Sequence, residues 1–456
     1  MSEAHSGDLC IFAQKVKPVI LGRLRATTMD NILYYIRKII PIALFRAVQP
    51  PYHYILSLIG ALYYRFPSKE ITVIGVTGTK GKSTVVELIN AILEADGRRT
   101  AVAGTIRFKI GEKSERNMYK MTMPGRFFTQ RFLREAVNAG CDVAIIEMTS
   151  QGVIQYRHKG IHLDALVFTN ISPEHIESHG SYEKYIAAKL ELARALEASQ
   201  KRPRYMIANR DDDHGTDFLD STVEYPLPYG LSDLELHTLN KDDISLVLQG
   251  TTIRVPLIGL FNVYNTLAAI TCARAFGVPL KTITKALTNL NPIKGRVERF
   301  KSPKGADRKV TAVVDYAHTP DSLEKLYIAF EKEKKVCILG NTGGGRDTWK
   351  RPEMGRIADK YCDRIILTNE DPYDEDPKKI IDDMVRGIED ESKLTIIMDR
   401  RKAIHTALEE AKDGSVVIIS GKGTDPYIMG PHNTKTPWSD AKVVQQEMSA
   451  LFGDTV

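Results

Sequence analysis

The stretch Ile71 to Glu87, ITVIGVTGTKGKSTVVE, constrains the fold more than any other part of this 456-residue chain. Ile71 to Val76 is apolar and rich in β-branched residues, which predicts a buried strand. From Val85 onward, Val85, Leu88, Ile89, Ile92 and Leu93 recur at helical spacing. Between strand and helix lie Gly75, Gly78 and Gly81. Glycines let backbone N–H groups turn inward around phosphate oxygens, and the start of a helix adds a favourable dipole. Lys82 adds a point charge, and the Ser83 hydroxyl can ligate Mg²⁺. The strict phosphate-loop pattern has a glycine where this chain has Val76, so the loop is a variant. Its context still points to nucleotide chemistry in an α/β domain.

Short apolar strands alternate with helical segments on both sides of this motif. Strands are expected near 71–76, 99–103, 142–147, 163–168 and 204–208, with helices near 84–95, 126–138 and 181–198. ISLVLQGTTIRVPL reads as a hairpin turning at Gln249-Gly250, followed by a helix from about Val263 to Phe276. This rhythm predicts a mainly parallel sheet covered by helices. Asn291-Pro292 interrupts it, and further strands follow near 310–315, 335–339, 364–368, 394–398 and 415–420. Three regions result: a short helical N-terminal region (1–68), a central P-loop-type ATPase domain (69–293) and a C-terminal Rossmann-like α/β domain (294–456). In the first, two apolar stretches are separated by Pro50 and Pro51. They are expected to pack on the next domain, with a peripheral membrane contact through 28–66 or a partner-binding surface as the alternatives.

The charge balance excludes some partners. A net charge of +6 on 63 basic and 57 acidic residues, with no long basic block, does not imply nucleic acid. Cys10, Cys141, Cys272, Cys337 and Cys362 are widely spaced without a CxxC pair, and read as buried thiols of a reducing cytoplasm.

Three further residues stand where chemistry is expected. Glu147 ends the strand CDVAIIE, at the edge where parallel sheets bind ligands, and could hold Mg²⁺ beside Ser83. His175, in TNISPEHIESHG, could be a second metal ligand, although spacing alone favours a surface histidine. Lys189 would sit beside the apolar face formed by Ile186, Leu190, Ala193 and Leu196, and composition alone makes it a solvated lysine.

Taken together, GVTGTKGKST, EMTSQGVIQYR, VFTNISPEHIESHGSYEKYIAAK, GLFNVYN, GRVERF, VVDYAHTPDSL, KRP and GKG, in this order, resemble the Mur ligase family of ATP-dependent peptide ligases. The resemblance is greatest to the branch that adds the third residue to a cell-wall precursor peptide. It implies that Gly78, Thr79, Lys80, Gly81, Lys82, Ser83 and Thr84 hold the ATP phosphates, and that Asn265, Arg296 and Asp315 lie around the nucleotide. Ser83 and Glu147 would bind one Mg²⁺. His175 would bind a second, positioned by Lys189 as a carbamate. Lys82, Lys189, His175 and Arg296 would carry the catalysis. Thr122, Ser150 and Arg157 would grip the acceptor, and Met123 replaces a usual threonine there.

The implied reaction joins a free amino acid to the carboxylate of a UDP-N-acetylmuramoyl-L-alanyl-D-glutamate-like acceptor through an acyl phosphate, releasing ADP and phosphate. The expected partners are these small molecules, acting on a cytoplasmic monomer. Two alternatives are the same chemistry on a lipid- or carrier-linked acceptor, and a nucleotide-dependent switch or scaffold that does not ligate. The chain departs from the family in its short N-terminal region and in the amino-acid pocket. Where the diaminopimelate-adding members carry Asp-Asn-Pro-Arg, this chain has Glu370-Asp371-Pro372-Tyr373, and Gly421-Lys422-Gly423-Thr424-Asp425 replaces their glycine turn. With Asp371, Tyr373, Gly421 and Asp425 lining that pocket, an added residue ending in an ammonium, such as lysine or ornithine, is expected.

Overall fold

The computed structural model describes residues 42–174, 179–345 and 347–453, and for 42–49 the backbone alone. His175, Cys10 and the apolar sequence before Ile42 lie outside the described residues.

The first sheet is built from β1 (Thr72–Thr77), β2 (Thr100–Ala103), β3 (Arg107–Ile110), β4 (Lys113–Arg116), β5 (Val143–Glu147), β6 (Ala165–Phe168), β7 (Tyr205–Asn209) and β8 (Tyr225–Tyr229). Their order is β4-β3-β2-β5-β1-β6-β7-β8. Neighbours from β2 to β8 run parallel, while β3 and β4 are antiparallel. The central strands are covered on both faces, which is why they read as continuous apolar runs. Ile74 and Val76 of β1 pack with Val85, Leu88 and Ile92 of helix Lys82–Ala95 and with Val263 and Leu267 of helix Leu260–Ala275. Val73 faces the opposite core with Leu133 and Leu192. A small antiparallel sheet follows, in the order β11 (Thr251–Val255), β10 (Ile244–Leu248), β9 (Leu236–Leu239).

The second large sheet comprises β12 (Glu298–Lys301), β13 (Thr311–Val314), β14 (Lys335–Leu339), β15 (Arg364–Leu367), β16 (Leu394–Ile396) and β17 (Val416–Ile419), ordered β12-β13-β17-β14-β15-β16. Only β12 runs antiparallel to its neighbour. β18 (Tyr427–Met429) and β19 (Lys435–Pro437) form a two-stranded ribbon.

Two expectations need correction. Cys337 on β14 and Cys362, two residues before β15, form a disulfide with Cα atoms 6.1 Å apart. Parallel pairing of β14 and β15 brings them together, a proximity their separation of 25 residues does not reveal. Cys141 and Cys272 are buried free thiols, as expected. Pro50 and Pro51 do not separate two elements: helix Ile42–Tyr63 runs through both. Both rings are exposed, so the lost backbone donors and the bulk of the rings fall on an open face.

Candidate active site

β1 lies between β5 and β6. The loops leaving these three parallel strands therefore emerge side by side at one sheet edge, the position where such folds receive ligands. Register pairs Val76 with Glu147 and Thr77 with Phe168, so the glycine loop, Glu147 and the segment Thr169–Glu174 converge. Gly81 precedes helix Lys82–Ala95 with φ 83°, and a Cβ there would stand 2.2 Å from Asn265 Oδ1. Only glycine fits, and the close approach sets Asn265 against the loop. Asn265 Nδ2 in turn donates to Asn262 Oδ1 at 2.9 Å.

The loop is clamped from β6. Lys80 N donates to Asn170 Oδ1 at 3.0 Å, and Asn170 Nδ2 donates to Lys80 O at 3.2 Å. Thr79 Oγ1 and the Tyr185 hydroxyl lie 2.8 Å apart. Lys82 Nζ donates to the carbonyls of Gly78 (3.0 Å) and Thr79 (2.9 Å). Ser83 Oγ lies 3.2 Å from both Glu147 carboxylate oxygens, and Glu147 Oε2 also accepts from Thr105 N at 2.8 Å. Thr84 is buried in the same helix turn.

Lys189 departs from the composition-based expectation. It is 2% exposed, donates to Gly78 O at 2.7 Å, and sits over the Tyr185 ring at 4.8 Å. Helix Tyr182–Glu197 turns it inward beside Tyr185, Leu192 and Ala193. Burial, and then the Lys82 charge, push its amine well below the ordinary lysine range. Burial also lowers Lys82, against the opposing pull of Glu147 and Glu174.

The second sheet closes the site. Arg296 Nη2 donates to Ser83 Oγ at 3.0 Å, and its guanidinium stacks 4.7 Å from the Tyr316 ring centre. Asp315, at the end of β13, accepts from Val297 N at 2.8 Å and Ala317 N at 2.7 Å. Burial raises its pKa, although Arg296 pulls the other way. His318 Nε2 approaches Glu174 Oε1 at 3.4 Å, and Glu174 also pairs with Lys80 at 3.0 Å. Between the sheets lies a cavity of about 1410 Å³ whose wall includes Lys82, Ser83, Glu147, Lys189, Asn265, Arg296, Asp315, Thr122 and Ser150. Thr122 Oγ1 lies 2.8 Å from Thr105 Oγ1, and Ser150 opens the short helix capped by Thr149. Arg157 is buried nearby and donates to Met123 O and Gln155 Oε1. Among the described residues no three His, Cys, Asp or Glu side chains converge as a metal cluster. The hard oxygens of Ser83 and Glu147 nevertheless suit a magnesium ion.

A second group of candidates lies where β15, β17 and β18 meet. Lys422 Nζ bonds both Asp371 carboxylate oxygens at 2.8 and 2.9 Å, and Met429 N donates to Asp371 Oδ1 at 2.8 Å. From the first sheet's side, Lys120 reaches over to Asp371 and, at 3.3 Å, to Asp425. Burial alone would raise Asp371, but the Lys422 and Lys120 charges hold it below the usual carboxylate range. Tyr373 adopts φ 53°, its ring 5.7 Å from Lys120 Nζ. Gly421 packs against Glu370, whose Oε2 would lie 2.3 Å from an added Cβ.

The rest of the acidic loop is structural. Glu375 is bound by Arg351 at 2.7 Å, Asp374 accepts from His432 N at 2.7 Å, and Asp376 caps helix Pro377–Val385. Sequence reasoning missed Lys120 and Arg116. Arg116 Nη2 donates to the carbonyls of Thr424 (2.8 Å) and Asp425 (2.9 Å). The available signal was Gly111, φ 55°, at the two-residue turn between β3 and β4.

Comparison with known proteins agrees with this geometry. The Mur ligase middle domain model matches residues 76–273, and the Mur ligase, glutamate ligase domain model matches 295–423. The chain is 37% identical over 401 residues to the UDP-N-acetylmuramoyl-L-alanyl-D-glutamate--2,6-diaminopimelate ligase of Aquifex aeolicus, covering 84% of this chain and 79% of that protein. It is 35% identical over 422 residues to the UDP-N-acetylmuramyl-tripeptide synthetase of Roseiflexus sp., covering 87% and 82%. A solved UDP-N-acetylmuramoyl-L-alanyl-D-glutamate--2,6-diaminopimelate ligase superposes with TM-score 0.56 at 28% identity, over 83% of this chain and 78% of that one. A Mycobacterium tuberculosis folylpolyglutamate synthase shares the fold at TM-score 0.65 and 17% identity, over 81% and 92%. The chain belongs to the Mur ligase family of ATP-dependent ligases.

Proposed function

We propose that this protein joins a free amino acid to the carboxylate of a UDP-N-acetylmuramoyl-L-alanyl-D-glutamate-like acceptor, as the names of its relatives describe for them. The observation that carries the reading is the cavity in which Lys82, Ser83, Glu147 and Lys189 face Arg296 and Asp315 across the two sheets.

A carboxylate is a poor acyl donor, so its oxygen first attacks the γ-phosphorus of ATP and ADP leaves. The amine then attacks the acyl phosphate, loses a proton, and expels phosphate. Lys82 and Arg296 stabilise the charge spread over the transferring group. Ser83 and Glu147 would hold a magnesium ion that neutralises phosphate charge, with Lys189, as a carbamate, and His175 assigned to a second. Thr122, Ser150 and Arg157 orient the acceptor. Asp371, Tyr373, Gly421 and Asp425 receive the amino acid. Residues 69–293 and 294–456 act as two domains whose closure completes the site, and 1–68 forms a separate N-terminal region. The working form is a cytoplasmic monomer, a placement that rests on the supply of ATP and nucleotide-linked precursor.

The test is phosphate release measured while crossing candidate acceptors with free amino acids. Release that requires both substrates supports the ligase. Nucleotide binding without substrate-dependent release would instead identify a switch.

A further inference from the structure

Helix Ile42–Tyr63 packs in the opposite sense to an ordinary surface helix. From Pro50 onward its buried residues are His53, Ser57, Gly60 and Ala61. Ser57 Oγ donates to Tyr156 O at 2.7 Å, and Gly60 and Ala61 lie against Phe127 and Gly160. The small and polar side chains therefore face the protein. Tyr52, Ile55, Ile59, Leu62 and Tyr63 face outward, with Leu62 63% and Tyr63 73% exposed. A helix ending against water carries its apolar stripe inward. Here no charged residue occurs from Ala47 to Tyr64, so no charge interrupts the outer stripe.

The charge distribution shows what this stripe fits. Residues 1–69 contain nine Lys and Arg against three Asp and Glu, so their excess of six equals the +6 of the whole chain. Arg65 and Lys69, at the end of the helix, are exposed. Among the described residues no helix is long and apolar enough to cross a membrane. We propose that the outer face of helix Ile42–Tyr63 lies on a lipid bilayer carrying anionic headgroups, with Ile55, Ile59 and Leu62 entering the acyl boundary and the tyrosines at headgroup level.

Apolar side chains combined with flanking basic residues match an anionic interface, where tyrosine is also enriched. A second copy would bring the same positive charge to the contact, and residues 1–41 carry a positive excess of their own. Both occupants are therefore electrostatically disfavoured. The inference does not depend on the reaction proposed above.

The experiment is co-sedimentation of the full chain with vesicles of phosphatidylcholine alone or mixed with phosphatidylglycerol. Wild type is expected to pellet with the mixed vesicles, and to be released several-fold when salt rises from about 0.1 M to about 0.5 M. The variant Ile55→Ser/Ile59→Ser/Leu62→Ser should bind at least about tenfold less. Wild type that stays in solution, pellets equally with neutral vesicles, or matches the triple variant overturns the proposal. So does a dimer that the triple variant dissociates without any vesicle binding. As a readout independent of the triple variant's folding, Ile59→Trp should shift its emission to the blue on mixed vesicles and be quenched by brominated acyl chains. Unchanged emission counts against the proposal.

Discussion

Lys189 and Lys82 donate to one acceptor, the carbonyl oxygen of Gly78, at 2.7 and 3.0 Å. Burial first, and then the Lys82 charge beside it, hold the Lys189 amine well below its ordinary range. Only the free amine can take up carbon dioxide, so this environment favours a carbamate, whose negative charge also relieves the repulsion from Lys82. Lys189→Ala is expected to lower ligation by at least about 10²-fold, with partial rescue by short carboxylic acids. A ¹³C carbamate resonance should appear in wild type under labelled carbon dioxide and be absent from Lys189→Arg. Full activity of Lys189→Ala without additive would refute the assignment.

Much of this arrangement was legible in the sequence, and the limits have physical causes. The strand, glycine turn and helix at Ile71–Glu87 form a local pattern, and strand ends such as Glu147 fall where apolar runs stop. Lys189 was different. Helical spacing placed it beside the apolar face, and only the packed helix shows it fully enclosed. The hairpin of β3 and β4 escaped because β3, Arg107–Ile110, alternates over only four residues and β4, Lys113–Arg116, is exposed and has no apolar residue. With it went Lys120 and the contact to Asp371, which spans 251 positions. The Cys337–Cys362 disulfide likewise depends on which strands become neighbours.

Arg400 and Asp440 form a buried pair with bonds of 2.8 and 2.7 Å, and Trp438 Nε1 donates to the same carboxylate at 2.7 Å. Arg400 also donates to Ser420 O at 2.8 Å, directly before the glycine turn. Removing one partner strands the other charge in the interior. Arg400→Met is therefore expected to cost about 3–5 kcal/mol in denaturant unfolding. Arg400→Met/Asp440→Leu should recover part of that loss, and a double variant no better than the single would argue against charge stranding.

His158 is buried, and among the described residues neither ring nitrogen has a hydrogen-bond partner. Burial, helped by Lys159, lowers its pKa from 6.5 to about 4. Between these values the unfolded chain takes up a proton that the native state refuses, so stability falls as pH drops from about 6.5 towards 4 and levels off below. The full loss from this group is about 3 kcal/mol. Unfolding curves across this window should show the slope in wild type and a reduced slope in His158→Leu. An identical slope in both proteins would assign the effect to other groups.

The remaining prediction concerns the amino acid that is added. Asp371 is shared by Lys422, on its own side, and Lys120, from across the cleft, and Asp425 lies 3.3 Å from Lys120 and 3.5 Å from Lys422. With Lys422 and Asp371 neutralising each other, Asp425 leaves the group one negative charge until Lys120 enters. Lys120 thus occupies a place that accepts an ammonium. Tyr373 beside it supplies a ring face but no bidentate partner for a distal carboxylate. Lysine and ornithine end in an ammonium alone, which can replace Lys120, whereas meso-diaminopimelate carries a carboxylate beside its distal ammonium, and that carboxylate would meet Asp425 as a like charge. Lysine or ornithine is therefore expected to exceed meso-diaminopimelate in kcat/KM by at least about tenfold, measured with one acceptor. Lys120→Met should lower KM for lysine several-fold and leave KM for ATP unchanged, because it removes a competitor for the carboxylates. A preference for meso-diaminopimelate, or a raised KM for lysine in Lys120→Met, would show that Lys120 pairs with the substrate's carboxylate instead.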